Sequence, residues 1–254
     1  MPPPGVCLNI IKERYRKDGH GTPENPEKFL DQDFQFLHEY CLIRGMRYID
    51  DMFPPDRNAI GRDLLTPEQM QRVEWVRPTK IVPDPYLFVD SVSRFDFAQG
   101  AVGNCWFLAS IGALTFQNHI LKQVLPTDQA FEKDYAGIFH FRFWRFGKWY
   151  DVVIDDKLPM LDGRFIFVHS KTPNEFWPAL LEKAYAKVCG SYSDMNSGNV
   201  SEALMDFTGG IHMTFQLKEA PADLFNLMRR AAQSKSLMGC GTPKGKYDLS
   251  TKRR

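Results

Sequence analysis

Apolar residues return along this chain with two different periods, and the switches between them mark its elements. From residue 27 to about 44, Phe29, Phe34, Leu37, Tyr40 and Leu42 fall at helical intervals and Gly45 follows as a stop. This predicts an amphipathic helix. A loop with Pro54, Pro55 and Gly61 comes next, and Pro67 after Thr66 opens a short helix through Gln71. Pro78, Pro83 and Pro85 predict an extended run over residues 77–85. Residues 105–125 are dense in Ala, Leu, Ile and Phe, which predicts one helix buried on most sides.

The period then drops to two. Phe139, Phe141 and Phe143 alternate with His140, Arg142 and Trp144; Phe146-Gly147-Lys148 turns the chain, and residues 149–154 return it as the second strand of a hairpin. Residues 165–169 predict another short strand. Residues 175–188 predict a helix, with Pro178 in its first turns and Gly190 beyond its end. The polar stretch 191–199 suits a linker. Ser201 can cap a helix to Phe207, stopped by Gly209 and Gly210. Residues 211–217 predict a strand, 221–232 a helix with Leu224, Leu227, Met228 and Ala231 on one face, and 237–240 the start of a strand. There is no internal repeat.

Composition narrows the class. A chain of 254 residues has room for one large domain or two modest ones. A net charge of +1 offers no electrostatic footprint for nucleic acid or an anionic membrane, so neither is expected as a partner. No apolar run approaches the roughly 20 residues that span a bilayer, so no transmembrane segment is expected. The N-terminal residues carry Pro2–Pro4 and Lys12-Glu13-Arg14 without the apolar stretch of a signal peptide. The five cysteines are odd in number and widely spaced, which favours free thiols and a cytoplasmic location.

One of those cysteines stands in a distinctive setting. In Gln99-Gly-x-x-Gly-Asn-Cys-Trp-Phe-Leu-Ala-Ser110, Cys105 follows two glycines, heads the apolar helix and has a glutamine amide six residues upstream. A thiol acts as a nucleophile in its thiolate form. A helix N-terminus favours that anion by roughly 0.3–1 kcal/mol, which does not replace a base. The Gln99 amide, with the Cys105 backbone N–H, can donate to a developing oxyanion, a donor worth on the order of 100- to 1000-fold in rate. Cys7, Cys41, Cys189 and Cys240 lack this setting and are expected to be ordinary small hydrophobes.

The same segment resembles the catalytic-cysteine motif of the calpain family of calcium-dependent cysteine endopeptidases. Further stretches resemble that family: Tyr135-Ala-Gly-Ile-Phe-His-Phe141, Val152-Val-Ile-Asp-Asp-Lys-Leu-Pro159, Phe167-Val-His-Ser170, Asn174-Glu-Phe-Trp177, Leu180-Leu-Glu-Lys-Ala-Tyr-Ala-Lys187, Gly190-Ser-Tyr192 and Asp206-Phe-Thr-Gly-Gly210. The resemblance runs from about Phe29 to Cys240. It implies an α+β, papain-like protease core. The Pro, Gly and charge of residues 1–26 predict a flexible arm; on the resemblance, 27–198 are a complete, mainly helical, cysteine-bearing first subdomain. Residues 199–240 are the start of a second subdomain, and 241–254 a divergent basic tail. It also implies Cys105 as nucleophile, Gln99 as the oxyanion hole, and Trp106 packed beside the thiol. Asn104 departs from the family, where many members carry aspartate.

Calcium is expected on the same ground. No EF-hand pattern occurs, but by position the family's ligands fall on the carbonyls of Val89 and Ser91 and the side chains of Asp96 and Glu175. Ser91 stands where glycine is usual. Hard oxygen ligands suit calcium, and two carboxylates predict weak binding, with a dissociation constant of ~10⁻⁵–10⁻³ M. Arg94 resembles the arginine that reports calcium binding to the second subdomain. Protein substrates, and in the full-length form a small regulatory subunit or an endogenous inhibitor, are the implied partners.

The base is not found. Papain-like sequences place the histidine ~130–150 residues after the cysteine, yet the last histidine here is His212, and neither Gly-His-Ala nor Asn-Pro-Trp occurs. His119 is expected within the nucleophile's own helix, His140 and His169 on strands, and His212 at the start of one. The sequence therefore predicts a calpain-type chain truncated before its catalytic histidine and asparagine, and inactive alone. The alternative is a non-proteolytic fragment that binds calcium or a partner.

Overall fold

The computed structural model describes residues 19–89, 97–100 and 103–241. In chain order, the strands are β1 Glu27–Lys28, β2 Val73–Val76, β3 Phe97–Ala98, β4 Ile138–Arg145, β5 Lys148–Asp155, β6 Leu158–Leu161, β7 Arg164–Phe165 and β8 His169–Ser170. The helices are α1 Phe34–Arg44, α2 Arg57–Ile60, α3 Pro67–Gln71, α4 Pro78–Ile81, α5 Cys105–Leu114, α6 Asn118–Val124, α7 Trp177–Cys189, α8 Val200–Thr208 and α9 Leu224–Gln233. The mixture is α+β, as expected.

The hairpin forms in the register its alternation demands, from Ile138 opposite Asp155 to Arg145 opposite Lys148. Phe139, Phe141 and Phe143 are fully buried in the main core with Val152 and Ile154. The opposite face is not solvated. Ile138 and Val153 pack there with Phe34 and Cys41 of α1, and His140 stacks on Phe34 at 3.8 Å between ring centroids. Alternation of period two therefore reports two buried faces of different chemistry.

Helix α7 crosses the core and buries charge as well as apolar surface. Lys183 donates to Asp155 Oδ1 at 2.7 Å and to the Lys157 carbonyl at 2.7 Å. One turn on, Lys187 donates to Asp50 Oδ2 at 2.6 Å and to the Val153 carbonyl at 2.7 Å. Burial pulls the Lys187 ammonium below its ordinary pKa, against the pull of Asp50. Each pair ties α7 to the sheet or to the loop after α1, and losing one partner of such a pair typically costs about 3–5 kcal/mol.

Several expectations are corrected. The first helix starts at Phe34, where Asp33 accepts the Phe36 N–H at 2.9 Å; residues 27 and 28 instead pair in parallel with β5. Residues 78–81 form a helical turn because proline suits its first position. The long helix from Cys105 breaks after Leu114: Thr115 Oγ1 bonds back to the Gly112 carbonyl at 2.8 Å, and α6 begins at Asn118. His119 thus lies on a separate helix. The strand expected over 165–169 is two short pieces in different sheets. Helix α8 is capped by Asn199, whose side chain accepts the Ser201 N–H at 3.0 Å. Within residues 191–199, Ser191, Tyr192 and Met195 are buried, whereas Asp194 and residues 196–199 are exposed. Residues 211–217 and 237–240 form no strand. Among the described residues no strand pairs with them, and alternation alone does not order the backbone.

Candidate active site

Helix α5 is held from below. Phe107, Ile111 and Leu114 are fully buried, and Phe107 packs against Tyr185 at 4.9 Å and Phe207 at 5.8 Å between centroids. At the helix start Cys105 faces outward between two buried neighbours: Asn104 before it and Trp106 after it are buried, and Cys105 is exposed, as is Ala109 one turn on. Trp106 is anchored by its indole N–H, which donates to the Met195 carbonyl at 3.1 Å. Gly198 lies so close to the ring that an added Cβ would sit 2.3 Å from Trp106 Cε2. The thiol therefore stands on a fixed platform.

The Gln99 side is built from two strands. β3 pairs antiparallel with β8, Phe97 opposite Ser170 and Ala98 opposite His169, and Gln99 follows directly and is exposed. Gly100 approaches the neighbouring segment so closely that a Cβ would meet the Ile166 carbonyl oxygen at 2.3 Å. Only glycine fits that backbone contact. Gly103, on the other side, donates its N–H to Asn196 Oδ1 at 2.9 Å.

The histidines are placed elsewhere. His140 is buried between Asp151 at 2.7 Å and Asp128 at 3.2 Å. Burial opposes its charged form, but the two carboxylates outweigh that and raise its pKa. His169 donates to the Phe167 carbonyl at 3.0 Å and stacks on Phe165. His38 contacts the Asp134 carbonyl at 2.7 Å, and His212 is exposed beside Met205. Among the described residues, no histidine is hydrogen-bonded to Cys105.

Of the expected calcium ligands, Ser91 and Asp96, with Arg94, lie outside the described residues. The other two are brought together. Glu175 accepts the Val89 N–H at 2.9 Å and the Ser170 hydroxyl at 2.7 Å, and it is only 4% exposed. Among the described residues there is no group of three His, Cys, Asp or Glu side chains that could hold a metal ion. The Glu175 carboxylate beside Val89 is a hard oxygen ligand of the kind calcium takes.

One residue of this site escaped the sequence reading. Glu182, on α7, is buried directly beneath Asn104. In sequence, Glu182-Lys183 looks like a solvated pair; the apolar residues around it, Leu180, Leu181, Ala184 and Ala186, are the only sign that all sides of this helix are covered.

Residues 48–253 match the family model described as calpain family cysteine protease. The chain belongs to the calpain family. It is 46% identical to the calpain-1 catalytic subunit of Bos taurus over 238 residues, covering 93% of this chain and 33% of that relative. The match to the Homo sapiens calpain-1 catalytic subunit is 45% over 238 residues with the same coverage. That to the Gallus gallus protein is 44% over 242 residues, covering 94% of this chain and 34% of the relative. The chain thus spans about a third of the length of the calpain relatives it matches.

Proposed function

We propose that this chain carries the nucleophile half of a calpain-type, calcium-regulated cysteine endopeptidase. The observation that supports it most is Cys105, exposed at the first turn of a helix whose Trp106, Phe107, Ser110, Ile111 and Leu114 are buried, with Gln99 leaving the adjacent strand pair. Cys105 Sγ would attack the carbonyl carbon of a scissile peptide bond in a protein substrate. The Gln99 amide and the Cys105 N–H would donate to the resulting oxyanion, and Trp106 would hold the helix start in place.

The attacking thiol must lose a proton and the leaving amine must gain one. General acid–base assistance of that kind contributes ~10²–10⁴-fold, and no histidine follows His212 in these 254 residues. The proposal therefore assigns base and orienting asparagine to sequence outside them, and expects these residues alone to bind without turnover. Calcium would be held by Glu175 and Asp96 with the carbonyls of Val89 and Ser91, and would supply a hard-cation tie between the 89–96 segment and the start of α7. The family also supports a cytoplasmic setting and a small regulatory subunit or inhibitor as partner of a longer form. A non-proteolytic calcium- or partner-binding role is the alternative, favoured by the lack of a nearby base. A peptidase assay of the purified 254-residue chain with calcium tests the proposal: no Cys105-dependent hydrolysis is expected, and robust hydrolysis lost in Cys105→Ala would refute the assignment of the base elsewhere.

A further inference from the structure

The Glu182 carboxyl touches both halves of the site at once. One oxygen accepts a hydrogen bond from the Asn104 side-chain amide, and the other accepts the Val168 N–H at 2.8 Å. Asn104 is the residue immediately before Cys105, at the N-cap of α5, where asparagine ordinarily turns its side chain onto the helix's own free N–H groups. Here it makes no such cap and turns inward to Glu182. Val168 immediately precedes β8, the strand paired with β3, which leads into Gln99. The Ile166–Phe167 backbone just before it is what Gly100 packs against. A single side chain on α7 thus links the nucleophile's helix start to the wall that supports the oxyanion donor.

We propose that Glu182 is a positioning residue for Cys105, acting through Asn104 and Val168 to set the nucleophile against the Gln99 side of the site. This rests on Cys105 being the nucleophile. The carboxyl never meets substrate; it acts by holding the residue before the thiol.

A second observation gives the device two states. Asn104 Oδ1 is buried and has no hydrogen-bond partner. An ionised carboxylate only accepts, and so takes the amide N–H as observed. A protonated carboxyl also donates. If the Asn104 amide turns over, its oxygen can receive that proton, and its NH2 group takes the position where the oxygen had no partner. Full burial pushes the Glu182 pKa up to about 8, with the Val168 N–H and the Asn104 amide pulling the other way. The neutral form therefore prevails near neutral pH. The titratable side chain facing it across a small apolar pocket of Leu158, Phe165, Phe167 and Ala179 is Tyr192, whose phenol burial holds well above its ordinary pKa. The neighbouring Lys183 is engaged by Asp155.

The test is the rate of iodoacetamide labelling at Cys105, read by peptide mass spectrometry across about pH 6 to 9.5, in the wild type, Glu182→Gln and Asn104→Ala. The wild-type rate relative to each variant is expected to change about 5-fold through the ionisation of Glu182, the net worth of one hydrogen bond. Cys240 labelling supplies the internal control. Asn104→Ala keeps the carboxyl and removes only the link, so it also serves if Glu182→Gln folds poorly. Rate ratios that stay constant with pH would overturn the positioning role while leaving the nucleophile assignment intact. A changing ratio for Glu182→Gln alone would mean charge acting through space, and would overturn it too. A wild-type Cys105 that does not label at all would overturn the nucleophile assignment itself.

Discussion

Replacing Glu182 by glutamine should change how stability depends on pH, and the structure sets the size of the change. The carboxyl is fully buried, and burial moves its pKa from 4.5 to about 8. A folded state that keeps a proton the unfolded chain has released loses stability as pH rises, because ionisation favours unfolding. The loss begins near the unfolded value and is complete above the folded one. At about 1.4 kcal/mol per pKa unit, it reaches ~5 kcal/mol over that interval, a large share of the ~5–15 kcal/mol that holds a typical domain. Glutamine has the same shape and does not titrate. Its altered hydrogen bonding to Val168 and Asn104 adds an offset that is independent of pH. Urea unfolding of the two proteins between about pH 5 and pH 8.5, followed by tryptophan fluorescence, should show Glu182→Gln gaining on the wild type by up to about 1.4 kcal/mol per pH unit. Parallel stability profiles over that range would refute the claim that a protonated carboxyl lies beneath the nucleophile.

His140 predicts a second dependence. Its raised folded pKa means that its contribution is fully present below the ordinary value of 6.5 and is lost as pH climbs through the folded value; the stability gap between wild type and His140→Gln should narrow from about pH 6 upward, and a gap constant with pH would contradict the Asp128–His140–Asp151 assignment. Phe107→Ala empties a fully buried site where α5, α7 and α8 meet, and should cost about 3–5 kcal/mol in chemical denaturation. Lys183→Met strands the buried Asp155 carboxylate and should cost about 3–5 kcal/mol, whereas the double variant with Asp155→Leu should recover part of that loss. Gly100→Ala drives a Cβ into the Ile166 carbonyl and should slow Cys105 alkylation if the strand pair carrying Gln99 supports the site.

Much of this was legible because local patterns carried it. The hairpin followed from three alternating phenylalanines and a Phe-Gly-Lys turn, and Thr66-Pro67 gave a helix start that the structure completes as a reciprocal cap with Gln69. Cys105 at a helix N-terminus followed from glycines, asparagine and an apolar run. What failed depended on distant partners. The helix from Cys105 breaks where Gln117 turns to the Lys235 carbonyl at 2.8 Å, a contact that no window of the sequence contains. Residues 211–217 have strand alternation, yet Ile211 is 99% exposed and, among the described residues, pairs with no strand. Glu182 was missed for a similar reason: a glutamate followed by lysine reads as surface, and the packing of α7 against β4, β5, β6 and β8 covers both.

The central claim is that these residues hold the nucleophile and oxyanion side of a calpain-type protease whose base lies outside them. It is tested most directly by mixing the chain with a separately produced segment of a calpain relative that follows the matched region, then measuring hydrolysis of a fluorogenic peptide with and without calcium. Turnover that requires both pieces and calcium, and that disappears in Cys105→Ala, is expected. A complex that forms with calcium yet hydrolyses nothing, or hydrolysis that persists in Cys105→Ala, would contradict it.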